Sequence, residues 1–266
     1  MSGARVCVDA VFRRAFTLKS DESDDLYTVF FAGGYNAPRA ATIDLPPNAN
    51  VVCRGDEGFV AGGELRFPKL TVKLDGHKIL NNFMTELALP TLEKVQLLEN
   101  WLQSNARPGS FYGATTGDVV NETMVSQLSS ARRDFQTAMQ TDSPVQIAKT
   151  AQKLIGLGVG LTPSGDDYLT GWLAVFASSG RTMPGLDAAI IDSLERTTKV
   201  SQLYMKAALR GEFAEPVREL CRAMSVDDVT TAAVEIMMDH GATSGQDIMT
   251  GMIDAWKQLT KERESL

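Results

Sequence analysis

Cysteine is scarce in this chain. The three, Cys7, Cys53 and Cys221, stand far apart and form no Cys-x-x-Cys pair. A disulfide scaffold and a zinc ribbon are thereby excluded, and reduced thiols in a cytoplasm are expected. No apolar run approaches the ~20 residues that span a bilayer. The start, Met1-Ser-Gly-Ala-Arg-Val-Cys-Val-Asp9, lacks the apolar core of a signal peptide. No block of Lys and Arg stands out either, and the net charge is −7. That argues against nucleic acid or an anionic membrane surface as partner. What is present is ordinary for a soluble cytoplasmic protein: 266 residues, 44% hydrophobic and 22% charged, enough to bury a sizeable core.

The chain has two textures and no low-complexity linker between them. Up to about residue 85 it reads as β, with runs rich in Val, Phe, Thr and Tyr at 5–18, 26–32, 41–45, 59–61 and 65–74. Gly33-Gly34, Pro46-Pro47, Gly62-Gly63 and Asp75-Gly76 punctuate these runs. From residue 86 onward the pattern is helical. Leu92, Val95, Leu98, Trp101 and Leu102 make a stripe of period 3.6. Further helices are expected near 121–140, 144–155, 164–178, 186–210, 214–223, 226–239 and 245–262, with starts at Ser143-Pro144 and Ser225-Val-Asp-Asp228. Residues 261–266 read as a solvated tail. The expected fold is α+β: an N-terminal antiparallel β sandwich or open barrel (1–85), then a mainly α-helical region (86–266).

The most informative stretch is Gly156-Leu-Gly-Val-Gly-Leu-Thr-Pro-Ser-Gly-Asp-Asp-Tyr-Leu-Thr-Gly171, because the chain nearly says it twice. Ser164-Gly165-x-Asp167-x-x-Thr170-Gly171 returns eighty residues later as Ser244-Gly245-x-Asp247-x-x-Thr250-Gly251. Each copy opens an apolar segment. Ser164 is an expected N-cap with Asp167 at N3 closing a capping box, and Ser244 with Asp247 repeats it. Capping has no need of three alternating glycines or of the extra carboxylate of Asp166. Asp167, Thr170 and Gly171 share one helix face, which suits close helix approach beside a small polar pocket.

Two chemistries fit. Glycine-loop N–H groups at a helix start, from Gly158, Gly160 and Gly165 and with Thr162, Ser164 and Thr170 nearby, suit an anion. Ser244 and Gly245 repeat that arrangement. Alternatively Asp166 and Asp167, with Asp247, gather Mg²⁺ or Mn²⁺, since hard cations take carboxylate oxygens. No lysine follows the glycines as in a nucleotide P-loop, and no Gly-x-Gly-x-x-Gly follows a strand. His240, just before the second copy, brings a titratable ring within reach of such a pocket. His77 reads as an exposed turn residue. Arg39, in the loop 33–39, and Arg132, Arg133 and Arg181 are cations for an anion, although helical surface arginines are usually solvated.

Gly158-Val-Gly-Leu-Thr-Pro-Ser-Gly-Asp-Asp167, with His240-Gly-Ala-Thr-Ser-Gly-Gln-Asp247, resembles a bacterial family that includes the oxamate carbamoyltransferase subunit AllH. Val11-Phe-Arg-Arg-Ala-Phe16 and Gly34-Tyr-Asn-Ala-Pro-Arg39 are similar too, so the likeness covers most of the chain. The resemblance implies anaerobic breakdown of allantoin-derived purine nitrogen, exchanging oxalurate and phosphate for oxamate and carbamoyl phosphate. It also implies two unlike partner subunits. Under that reading Gly158 and Gly160 contact anion oxygens, Asp166 and Asp167 orient an amide or a metal, and Asp247 and His240 face them from the second copy. Two alternatives stand beside it: a non-catalytic scaffold subunit of such a complex, and a metal-dependent hydrolase of a small amide.

Overall fold

The computed structural model describes residues 4–23, 25–47, 49–113, 119–141, 143–226 and 231–264. The chain divides into two compact units, Met1–Asn82 and Phe83–Leu266, the first built of strands and the second of helices. The α+β class expected from the sequence is the one observed.

In the first unit the strands are β1 (Arg5–Val11), β2 (Ala15–Ser20), β3 (Leu26–Phe30), β4 (Ala40–Thr42), β5 (Glu57–Ala61), β6 (Glu64–Phe67) and β7 (Leu70–Lys73). They form one seven-stranded sheet in the order β4-β3-β2-β1-β5-β6-β7. Period-two alternation sets the inner face, as in β6, where Leu65 and Phe67 are buried and Arg66 is exposed. The rings of Phe16 on β2 and Phe67 on β6 meet edge-on at 6.3 Å. In a flat sheet those strands, with β1 and β5 between them, would lie about 14 Å apart at ~4.8 Å per step. The sheet therefore curls around Val8, Phe16, Phe31 and Phe67, giving the open form of the expected barrel rather than a sandwich. The run 5–18 is a hairpin, broken at Phe12–Arg14. The β3–β4 pair is parallel, not antiparallel. Arg39 pairs with Asp25 at 2.7 Å, and His77 is exposed in its turn.

The second unit contains α1 (Leu92–Asn105), α2 (Val119–Met139), α3 (Pro144–Leu154), α4 (Ser164–Ser178), α5 (Pro184–Ser193), α6 (Lys199–Ala208), α7 (Glu215–Ser225), α8 (Thr231–Met238) and α9 (Ser244–Glu264). The single helix expected over 186–210 is two. Thr198 accepts from the Ser201 N–H and so opens a new helix after the 3-10 turn Leu194–Arg196. Ser143 caps α3 as expected. Ser225 instead ends α7, its hydroxyl donating to the Arg222 carbonyl, and Asp227 and Asp228 lie outside the described residues. So do residues 114–118 of the loop after Tyr112. The tail expected from 261 is helical to Glu264.

Helix α4 is buried at nearly every position, Ser164, Asp166 and Asp167 of its first turn included. It lies against α9, whose residues 245–256 are buried in turn. Phe111, Phe135, Tyr168 and Trp172 stack around α4, with Phe135 edge-on to Trp172 at 5.2 Å. Among the described residues no helix is long and apolar enough to cross a membrane.

Candidate functional site at the paired helix starts

The two motif copies open α4 and α9, and the helices cross where their glycines meet. A Cβ on Gly171 would stand 2.2 Å from the Ile248 carbonyl oxygen, and one on Gly251 would stand 1.9 Å from that of Tyr168. Each glycine thus packs on the backbone three residues before the other. Near the helix starts Gly165 and Gly245 pack instead on the preceding helices, against the Leu154 carbonyl of α3 and the Met237 carbonyl of α8, at 2.0 and 1.7 Å from an added Cβ. The crossing has an approximate twofold.

The expected capping box is not formed. The N-cap of α4 is Pro163, without a side-chain cap bond, and Ser164 is already helical. The Pro163 carbonyl accepts from the N–H groups of Asp166 and Asp167, and the Leu157 carbonyl accepts from Gly165. At α9 the Thr243 carbonyl takes Gln246 and Asp247, and His240 takes Gly245. Both helix starts are therefore closed by their own loops, and the N–H groups of Gly165 and Gly245 are not open to an anion.

With no capping to do, the two serines cross over, while Thr162 and Thr243 serve the aspartate of their own copy. Ser244 and Thr162 bond to Asp167, while Ser164 and Thr243 bond to Asp247. Thr162 and Ser244 also bond each other at 2.8 Å. The Asp247 carboxylate further accepts the Phe111 N–H at 3.0 Å. Burial pushes the Asp247 carboxyl up to about 7. Burial also raises Asp167 well above the usual carboxylate range, reinforced by the neighbouring Asp247 charge. One oxygen of each, Oδ2, has no partner among the described residues.

Asp166 is a tie. Its carboxylate accepts the Gly156 N–H at 2.8 Å, the Ser201 hydroxyl at 2.6 Å and the Thr197 hydroxyl, joining the glycine loop to α6. The residue in the same place of the second copy, Gln246, does the same job. Its Oε1 accepts the Arg107 N–H at 2.8 Å and the Ser110 hydroxyl at 3.2 Å. Thr170 and Thr250 donate to the carbonyls of Asp166 and Gln246, one turn back on their own helices. The polar face expected beside a pocket is thus occupied internally.

This donor set does not fit Mg²⁺ or Mn²⁺. The ions want about six oxygens, the Asp166 oxygens are engaged, and among the described residues no three His, Cys, Asp or Glu side chains gather.

What stays open is the loop before α4. It is pinned at Gly156 by Asp166, at Leu161 by the Thr198 hydroxyl donating to its carbonyl, and at Thr162 by Ser244. Between the pins, no described residue accepts from the five N–H groups of residues 158–162. Gly158 and Gly160 adopt φ of 132° and 95°, in the region that favours glycine. Nothing lies within 4 Å of an added Cβ at Gly160, and Val159 is 76% exposed. His240 is half-buried at the end of α8, its Cβ over Gly245, and burial lowers its imidazole to about 4. It is neutral at neutral pH.

A charged network below the crossing escaped the sequence reading. Arg132, expected to be solvated, is bidentate on Asp254 at 2.7 and 2.8 Å and donates to the Tyr112 hydroxyl at 2.7 Å. Tyr112 donates to Glu99, which Lys257 also bonds, and Tyr168 donates to Asp254. Arg181 pairs with Glu262 on the surface. The partners of Arg132 lie 20 and 122 residues away, so helical periodicity carries no sign of them.

No solved structure matches the chain. Residues 154–256, which run from the end of α3 through both copies of the motif, match the family model described as oxamate carbamoyltransferase subunit AllH, the family that the glycine loop and its echo resemble.

Proposed function

We propose that this chain is a subunit of an oxamate-type carbamoyltransferase, working with unlike partner subunits, and that its glycine loop holds an anionic group of the reactants. The family match supports the subunit reading. The observation that carries the site is the run of N–H groups at 158–162 without acceptors, on a loop pinned at both ends. Such preorganised donors stabilise oxyanions and phosphate without reorganising.

In this reading a phosphate oxygen attacks the terminal carbamoyl carbon of oxalurate. The new C–O bond makes carbamoyl phosphate, and the C–N bond breaks. Its electron pair stays on nitrogen, which takes a proton to become the amide of oxamate. Gly158, Gly160 and Thr162 hold the phosphate, and His240, neutral beside Gly245 at the second helix start, is available to exchange a proton. Asp166, Asp167, Asp247, Ser164, Ser244, Thr170, Gly165 and Gly245 set the loop's position through the crossing. The work done is chiefly positioning. The setting in this reading is the breakdown of allantoin-derived purine nitrogen, as the family resemblance implies, in the cytoplasm that the scarce cysteines suggest.

The exposure of Val159 and of Leu161, at 47%, favours a second reading, in which the same loop docks a partner subunit. Gly160→Ala separates the two in the reconstituted complex. Its φ disfavours a side chain while leaving room for one. Anion holding predicts a rise of about tenfold in KM for phosphate with assembly intact. Failed assembly with an unchanged KM in the residual complex favours docking and removes the anion site.

A further inference from the structure

We propose that Asp167 and Asp247 hold one proton between them, and that this proton latches the two helix starts, and with them the glycine loop and the turn before α9. Both residues are buried where the helices cross, and each has a carboxylate oxygen with no partner among the described residues. Two uncompensated charges there are strongly unfavourable, and a proton bridging the unpartnered oxygens removes one of them.

Among the described residues no cation does that instead. From the loop after α1, the Arg107 guanidinium donates to the carbonyls of Gly241 and Ala242. From α2, Arg132 is committed to Asp254, and Lys257 of α9 is bonded to Glu99 of α1. From α3, Lys153 is exposed on Asp134, and on α6 Lys199 is exposed. From α7, Arg218 donates to the Phe213 carbonyl. Of the remaining neighbours, Asp166 adds negative charge and His240, at the end of α8, is neutral.

When the proton leaves, two like charges are buried at the helix starts whose loops the Thr162–Ser244 bond joins. Alkaline conditions therefore loosen the crossing. Any consequence for turnover rests on the loop site proposed above, whereas the latch itself does not.

The test is thermal unfolding of the full-length chain from pH 4 to 9, wild type against Asp247→Asn and Asp167→Asn. An asparagine amide donates to the remaining carboxylate as the shared proton does, so either variant keeps the bridge while losing the repulsion between two carboxylates. A carboxyl protonated in the fold contributes stability that is complete at acid pH and is lost as pH rises through its folded value. His240 acts in the opposite sense between pH 6.5 and 4, and cancels in the comparison. Wild type should lose about 5–10 °C relative to either variant between pH 4.5 and 8. Carboxyl-labelled NMR of the wild type, which needs no variant to fold, should show both aspartates responding in one step near or above neutrality. Parallel unfolding profiles, or carboxyl signals that titrate separately below pH 5, overturn the latch. A wild-type complex without carbamoyl transfer would bear on the proposed function alone.

Discussion

Gly171 and Gly251 each lie on the backbone of the other's helix, the first against Ile248 and the second against Tyr168. Alanine at either position meets a carbonyl oxygen rather than a side-chain end, so the helices must separate. Gly171→Ala and Gly251→Ala should each destabilise the chain by about 2–3 kcal/mol despite alanine's better helix propensity. Because one separation accommodates both methyl groups, the double variant should cost clearly less than the sum. Urea unfolding of the three variants checks this, and strict additivity would mean the two contacts are independent.

Asp166 should behave as a positioning residue. In Asp166→Asn an amide N–H₂ faces donors, leaving at least one of Gly156, Thr197 and Ser201 unsatisfied. A loss of about 2–3 kcal/mol is expected, against about 1 kcal/mol for Ser201→Ala. In the assembled enzyme Asp166→Asn should raise KM for phosphate more than it lowers kcat. Asp166→Glu should rescue part of the affinity if it reaches the Gly156 N–H. A pure kcat effect would instead point to a reacting carboxylate.

The Arg132–Asp254 pair should be intolerant of single changes. Arg132→Leu leaves Asp254 buried at 2% side-chain exposure with only the Tyr168 hydroxyl, and should cost about 3 kcal/mol. Tyr112→Phe removes the bond to Glu99 and the one from Arg132 but leaves Arg132 on Asp254, at about 1–2 kcal/mol. Equal losses would show that the network is one cooperative unit rather than a pair with an accessory.

His240 gives a pH dependence of known sign. Burial holds its folded value near 4, below the ordinary 6.5. The unfolded chain therefore binds a proton that the folded chain refuses, and stability falls as pH drops from 6.5 towards 4. His240→Gln should remove about 3 kcal/mol of that fall. Chemical unfolding at pH 4.5 and 7 measures the difference, and an unchanged slope would mean the ring is protonated in the fold.

Much of this was legible in the residues. The eighty-residue echo announced two equivalent helix starts, and small residues on the shared face announced close approach. What misled was local chemistry that suits two geometries. Ser-x-x-Asp satisfies a capping box within one helix, yet it equally satisfies a partner helix bearing the same motif. Pro163 and Thr243 closed the helix ends with backbone carbonyls and left the two serines to cross. Arg132 looked solvated because its partners come from remote segments. The break at Thr197-Thr198 was hidden because the flanking apolar residues keep their period. The parallel β3–β4 pair depends on the path of residues 31–39, which carries turn residues but no register.

The central claim is that an anion is held by the loop and not by the helix start. Amide NMR of the full-length chain titrated with inorganic phosphate tests it most directly. Saturable shifts should appear at Gly158, Val159, Gly160, Leu161 and Thr162, while Gly165, Asp166 and Asp167, whose N–H groups are already bonded, stay still. Shifts confined to 165–167, or a loop that remains silent at millimolar phosphate, would contradict it.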